Sequence, residues 1–314
     1  MKVFFFCIAL LFSSAALAKE EPVTLNIPDG VLCGTLNRPA TPSETALLII
    51  AGSGPTDRNG NNPMGFYANS YAQLSAFFEK QGFASLRYDK RGIGASKYPT
   101  EKMEKVVLQD FIDDAAQWVK YLKNIGFKRV ILVGHSEGAL IAFAVAAEHS
   151  DVDALISLCG AGLPIDVILK KQISEQTQQL GLTLTLQIYS IIDSLKQGGQ
   201  PEIPNTLATI FPRSALPFLV SAMQYDPCAL IERVHQPILL IGGSHDLQVP
   251  SENIRALKSA QPTAQEVIVE GMTHPLKNSD STDRIVQFTS VYQNGDLPLS
   301  TGLETALADF LRNY

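Results

Sequence analysis

Six short apolar runs, at 46–51, 83–88, 130–133, 154–158, 238–241 and 265–269, alternate along the chain with longer amphipathic segments. Apolar runs of this length, bounded by polar turns, suit strands buried on both faces. The segments near 68–81, 106–124, 138–148, 251–260 and 302–312 carry helical periodicity instead. Strand and helix in alternation predict an α/β fold, a mostly parallel sheet with helices on both faces. Upstream, 23–27 and 31–37 flank Pro28-Asp29-Gly30, which reads as an N-terminal β-hairpin closed by an Asp-Gly turn.

One stretch breaks the rhythm. From 163 to 234 there is no strand pattern, only helical spacing (Ile168, Ile173, Leu180; then Leu186, Ile188, Ile191, Leu195) punctuated by Gly198-Gly199-Gln200-Pro201 and Phe211-Pro212-Arg213. Roughly 70 residues is far more than a strand-to-helix connection needs, so 163–234 is expected to be a helical lid or cap. It would be inserted into a core made of 19–162 and 235–314. A chain of 314 residues that is 46% hydrophobic has ample apolar surface for such a core.

Residues 1–18 form a separate unit: Lys2, an apolar run at 3–12, and Ala16-Leu17-Ala18 ahead of the charged Lys19-Glu20-Glu21. This reads as a signal peptide cleaved after Ala18, giving an exported protein of the periplasm or the medium. The apolar stretch, about 15 residues, falls short of the roughly 20 that span a bilayer, so no stable membrane insertion is expected. Net charge is −6 and no Lys/Arg-rich run occurs, which speaks against a nucleic-acid partner. Cys33, Cys159 and Cys228 of the mature chain match neither a disulfide framework nor a zinc motif, and no bridge is expected.

The chemistry centres on Gly134-His135-Ser136-Glu137-Gly138, which lies between the apolar run at 130–133 and an apolar helix-like stretch at 139–147. A serine hydroxyl is a poor nucleophile until a tight strand-to-helix turn presents it, and glycines two residues to either side let that turn close. The first N–H groups of the following helix lack partners within it, so they direct positive charge over Ser136, where an oxyanion would be stabilised.

Serine also needs a base to take its proton and an acid to orient that base. Asp246 lies in Gly242-Gly243-Ser244-His245-Asp246, just past the run at 238–241. His274 lies in Gly271-Met272-Thr273-His274-Pro275, just past the last core run. Both therefore fall at the carboxyl ends of strands, where ligands gather in open parallel sheets. Each has a plainer reading: Asp246 as a turn former, His274 as a surface-loop histidine. Of the other histidines, His245 is the rival base, but it adjoins the proposed acid and could hardly turn back onto it. After the run at 46–51, the small residues Gly52-Ser53-Gly54 permit close approach of the backbone to a ligand. The backbone N–H of Ser53, or of Gly54, together with that of Glu137 would form an oxyanion hole.

Three motifs together carry a family resemblance: Gly52-Ser53-Gly54-Pro55-Thr56-Asp57-Arg58, Asp89-Lys90-Arg91-Gly92-Ile93-Gly94-Ala95-Ser96, and Gly134 to Gly138. With the chain order Ser, Asp, His, the sequence resembles the α/β-hydrolase superfamily, within it the bacterial esterases and serine-aminopeptidase-like hydrolases. The resemblance implies the α/β-hydrolase fold and a structural, not chemical, use of Asp89 and Arg91. Many relatives carry His-Gly where this chain has Ala51-Gly52.

The expected activity is that of a carboxylesterase acting on a small-molecule acyl ester through an acyl-enzyme, with no cofactor and no metal. An apolar lid suits an apolar substrate. An aminopeptidase or amidase would need a carboxylate cluster for the substrate amine, and Glu175, Asp193, Glu202, Asp226 and Glu232 are scattered along the insertion. A non-catalytic ligand-binding protein is the remaining reading. The oligomeric state is left open by the sequence.

Overall fold

The computed structural model describes residues 19–177 and 181–314, so the expected signal peptide at 1–18 and Leu180 lie outside the described residues. Strands β1 (Lys19–Ile27) and β2 (Gly30–Arg38) pair antiparallel around Pro28-Asp29, with Asp29 in the left-handed region at φ 64°. This is the expected hairpin, extended at both ends. Six further strands follow: β3 (Thr45–Ile50), β4 (Ala84–Tyr88), β5 (Arg129–His135), β6 (Ala154–Leu158), β7 (Ile238–Gly243) and β8 (Gln265–Val269). They coincide with the six apolar runs.

Across the sheet the order is β1-β2-β4-β3-β5-β6-β7-β8. β2 meets β4 antiparallel, and every pairing from β4 through β3 to β8 is parallel. The direction of winding reverses beside β3, so the carboxyl ends of β3 and β5 flank a crevice.

The reason for continuous apolar runs is visible in β3 and β5. Ala46, Leu48, Ile50, Val130 and Leu132 point to one core, and Leu47, Ile49, Ile131 and Val133 to the other. The first core is closed by helices α2 (Leu108–Asn124), α3 (Glu137–Glu148) and α8 (Glu252–Ala260). The second is closed by α1 (Ser70–Lys80) and α9 (Thr301–Leu311). Truncating Leu132, which is fully buried, to alanine would cost about 2–5 kcal/mol, in line with other buried leucines.

Between β6 and β7 lie α4 (Ile165–Thr177), α5 (Leu182–Lys196), α6 (Leu216–Ala222) and α7 (Pro227–Ile231), with no strand among the described residues of this stretch. Ile173, Ile188, Ile191 and Leu195 turn inward with Leu207, Phe211 and Met223 to form a separate apolar cluster. Leu186 departs from the expected helical face: it is 55% exposed, two residues from buried Ile188 and so on the opposite side of α5. No helix among the described residues is long and apolar enough to cross a membrane.

Candidate active site

β5 runs straight into α3 through Ser136, whose φ of 55° and ψ of −121° are a strained combination for a residue with a side chain. Tight packing imposes that turn. A Cβ on Gly134 would lie 2.3 Å from the carbonyl oxygen of Gly138, and one on Gly138 would lie 2.2 Å from that of Ile50. With glycine at both places the turn closes against β3, leaving Ser136 half-buried at the head of α3.

Asp246 does two jobs at once. Its Oδ1 accepts from the N–H groups of Gln248 (2.8 Å) and Val249 (2.9 Å), the turn-forming role, while Oδ2 lies 2.8 Å from Nδ1 of His274. Burial raises the carboxyl pKa, but the imidazole of His274 and the hydrogen bonds from His274, Val249 and Gln248 more than offset it. The group titrates below its usual range. The loops bearing Asp246 and His274 are seated on each other at Gly243, where a Cβ would approach the Met272 carbonyl oxygen to 2.0 Å. His245, the rival base, is turned away and engages the carbonyl of Ser279 through Nδ1 at 2.6 Å.

A second network, not anticipated from the sequence, ties these loops together. Nε2 of His135 lies 2.9 Å from the carbonyl oxygen of His274, and Nδ1 lies 2.8 Å from the Tyr71 hydroxyl. A carbonyl only accepts, so Nε2 carries the proton and Tyr71 donates to Nδ1. The Tyr71 oxygen in turn accepts from the N–H of Gly52 at 2.9 Å. Burial, and next the neighbouring His274, push the pKa of His135 down to about 3, which keeps its ring neutral. With the Gly52 N–H already engaged, the next N–H along the loop is that of Ser53.

Asp89 accepts from the backbone and guanidinium of Arg58 and from the N–H of Ala95, and Arg91 clamps buried Asp114 with Nε 2.7 Å from Oδ2. Both brace loops around the site, the structural use implied by the family resemblance. Between them Lys90 turns the other way, its ammonium 2.6 Å from the carbonyl oxygen of Gly52.

Two cavities meet at Ser136. One, of about 170 Å³, is lined by His274 and Pro275, by Thr56, Asn62, Ser70 and Gln248, and by the apolar faces of Met64, Phe66, Ala68 and Tyr292. The other, of about 300 Å³, lies beneath the inserted helices and is walled by Leu140, Leu163, Ile165, Ile168, Leu169 and Phe218. Ser53, Ser136 and Gln248 border both, and Glu137 borders the larger one alone.

Among the described residues, one compact set of potential metal ligands is found, His135, Cys159 and His274, whose donor atoms lie within 4.8 Å of one another. Both nitrogens of His135 and Nδ1 of His274 are already hydrogen-bonded, so the set is accounted for as part of the two networks. Cys33, Cys159 and Cys228 are free thiols.

Residues 63–197 match the family model of serine aminopeptidase S33. Over 240 residues the chain is 27% identical to the esterase EstD of Thermotoga maritima, covering 75% of this chain and 54% of that protein. The chain thus spans about half the length of this curated relative. The fold is shared with the esterase Pf2001 of Pyrococcus furiosus (TM-score 0.60, 15% identity, 98% of this chain and 95% of that one). It is also shared with Est1E of Butyrivibrio proteoclasticus, solved with ferulic acid (TM-score 0.57, 19% identity, 86% and 96%).

Proposed function

We propose that this chain, which belongs to the α/β-hydrolase superfamily, is a serine hydrolase of the carboxylesterase type. One observation carries the reading: a serine on a strained strand-to-helix turn shares a cavity with a histidine whose far nitrogen is held by a buried carboxylate. In this reading Ser136 attacks the ester carbonyl, and His274 takes its proton through Nε2. Asp246 holds the ring in the required tautomer and stabilises the imidazolium. The oxyanion accepts from the N–H groups of Ser53 and Glu137. His274 then protonates the departing alcohol, and water releases the acid from Ser136 by the same steps in reverse.

The two cavities divide the substrate. The leaving oxygen must come within reach of His274, so the alcohol belongs in the smaller cavity that His274 lines. The acyl chain belongs in the larger cavity, which reaches Ser136 and Glu137 and is not bordered by His274. An ester joining a medium-length apolar acyl group to a small alcohol fits this division, with residues 163–234 acting as the lid over the acyl side.

An aminopeptidase would hold the substrate amine with acids in the site. Glu137 is the one acidic residue lining either cavity, and it faces Lys90. Asp193 is paired with Lys170, and Asp226 caps α7. These positions favour ester over amine-terminal substrates. Labelling with an alkyl fluorophosphonate, followed by mass mapping, tests the nucleophile: modification on Ser136 is expected, and modification elsewhere or nowhere would reject the reading. Turnover of a p-nitrophenyl acyl ester against an aminoacyl p-nitroanilide separates the two substrate classes. Export with cleavage after Ala18 belongs to the same proposal, and N-terminal sequencing of the exported protein beginning at Lys19 is its expected outcome.

A further inference from the structure

Lys90 is a buried amino group that the triad does not use; burial lowers its pKa, and the neighbouring Glu137 carboxylate opposes that shift. The lysine is 4% exposed, its ammonium lies 5.5 Å from the centroid of the Phe111 ring, and Nζ is 3.8 Å from Oε1 of Glu137. That carboxylate oxygen is itself buried with no hydrogen-bond partner. Burying an ammonium is expensive unless a specific interaction compensates for it. The shortest one here is to the carbonyl oxygen of Gly52, at 2.6 Å.

That oxygen belongs to the same peptide unit as the N–H of Ser53. In a trans peptide the two groups point in opposite directions, and resonance couples them: a hydrogen-bond donor at the oxygen draws electron density from the nitrogen and sharpens the N–H as a donor. Lys90 behind the peptide therefore aims Ser53 N–H toward the other side. Gly52 is also held at its own N–H by Tyr71, so the residue is gripped at both ends. The partner of Lys90 bears on the second donor, since the N–H of Glu137 is the other half of the proposed oxyanion hole.

We propose that Lys90 is a positioning residue for the oxyanion hole, fixing and polarising the Gly52–Ser53 peptide so that the Ser53 N–H meets the charge that develops on the ester oxygen. It touches neither substrate nor reacting atoms. The inference rests on the serine-hydrolase reading, and its effect lies in the transition state, because a ground-state carbonyl oxygen carries little charge to stabilise.

The test compares wild type, Lys90→Met, Lys90→Gln and the double variant Lys90→Met/Glu137→Gln on a p-nitrophenyl ester, with Ser136→Ala as the baseline. Because losing a whole donor costs about 10²–10³ in rate, weakening one should lower kcat of Lys90→Met by roughly 10- to 100-fold with KM little changed. Lys90→Gln, whose amide can still donate to Gly52, should lose less. Affinity for an aryl trifluoromethyl ketone, which forms an oxyanion adduct with serine, should fall in parallel with kcat/KM. The double variant should remain slow.

Full kcat in Lys90→Met, or its recovery in the double variant, would overturn the role and leave Lys90 as a counter-charge for Glu137. Should Lys90→Met fail to fold, unchanged ketone affinity in Lys90→Gln would overturn it equally. If wild type shows no turnover above Ser136→Ala, the hydrolase reading itself falls, and the role of Lys90 falls with it.

Discussion

His135 donates its Nε2–H to the main-chain carbonyl of His274 at 2.9 Å, joining the residue before the proposed nucleophile to the backbone of the proposed base. Their rings also pack with centroids 4.8 Å apart. With Tyr71 bridging His135 to Gly52, three loops from the ends of β3, β5 and β8 form one hydrogen-bonded unit.

Tyr71→Phe tests that unit. It leaves the Gly52 N–H and His135 Nδ1 without their partner in a buried region. An unmade buried hydrogen bond costs about 1–3 kcal/mol, so a lower Tm is expected by thermal melting. Activity should fall by about tenfold, chiefly in kcat, as the loop carrying Ser53 loosens. Wild-type Tm and kcat would show that the network is dispensable.

The depressed pKa of His135 has a consequence for acid stability. The folded ring stays neutral down to about 3, whereas the unfolded one binds a proton near 6.5. Between those values the unfolded chain holds more protons, so stability is present above about 6.5 and drains away as pH falls toward 3. Asp246, held below its usual range, acts in the same direction at the acid end. In urea unfolding, the stability advantage of wild type over His135→Asn should shrink as pH drops through this window. A constant difference would mean that His135 is not neutral in the fold.

Asp246→Asn and Asp246→Ala should part company. Asparagine keeps an oxygen for the N–H groups of Gln248 and Val249, so its fold should hold, while the wrong histidine tautomer drops kcat by about 10³–10⁴. Alanine removes the turn bonds as well and should lower Tm in addition to abolishing turnover. Equal melting temperatures for the two variants would argue against the double duty of this carboxylate.

Leu169→Trp would fill part of the apolar cavity beneath the inserted helices. Hydrolysis of octanoate should fall relative to acetate by about tenfold or more, since a few lost methylene contacts are worth this much in a hydrophobic pocket. An unchanged chain-length profile would place the acyl group elsewhere.

The strands could be read directly because residues 46–50 and 130–133 are apolar on both faces, the pattern of a doubly covered sheet. Ser136 and Asp246 were legible because they follow strands of this kind, and His274 because it follows β8, the edge strand, where Val267, Ile268 and Val269 carry the apolar signal behind exposed Gln265 and Glu266. The ribbon pairing Asn61–Asn62 with Phe66–Tyr67 was not, since two-residue strands have no periodicity to show. Nor was the short helical stretch at 284–292, which brings Tyr292 to the smaller cavity. Tyr71 and His135 are 64 positions apart, and nothing local in either marks the other as its partner. Lys90 lies inside the Asp89 to Ser96 motif, yet its direction, opposite to those of Asp89 and Arg91, depends on the fold around Gly52.

Hydrolysis of p-nitrophenyl acetate, butyrate, octanoate and palmitate by the mature protein and by Ser136→Ala tests the central claim most directly. Wild type should turn over the short and medium esters and fail on palmitate, whose chain exceeds the cavity of about 300 Å³. Ser136→Ala should retain at most about one part in 10³–10⁶ of that rate while folding normally. Equal rates in the two proteins, or no hydrolysis of any ester by wild type, would contradict a serine esterase at this site.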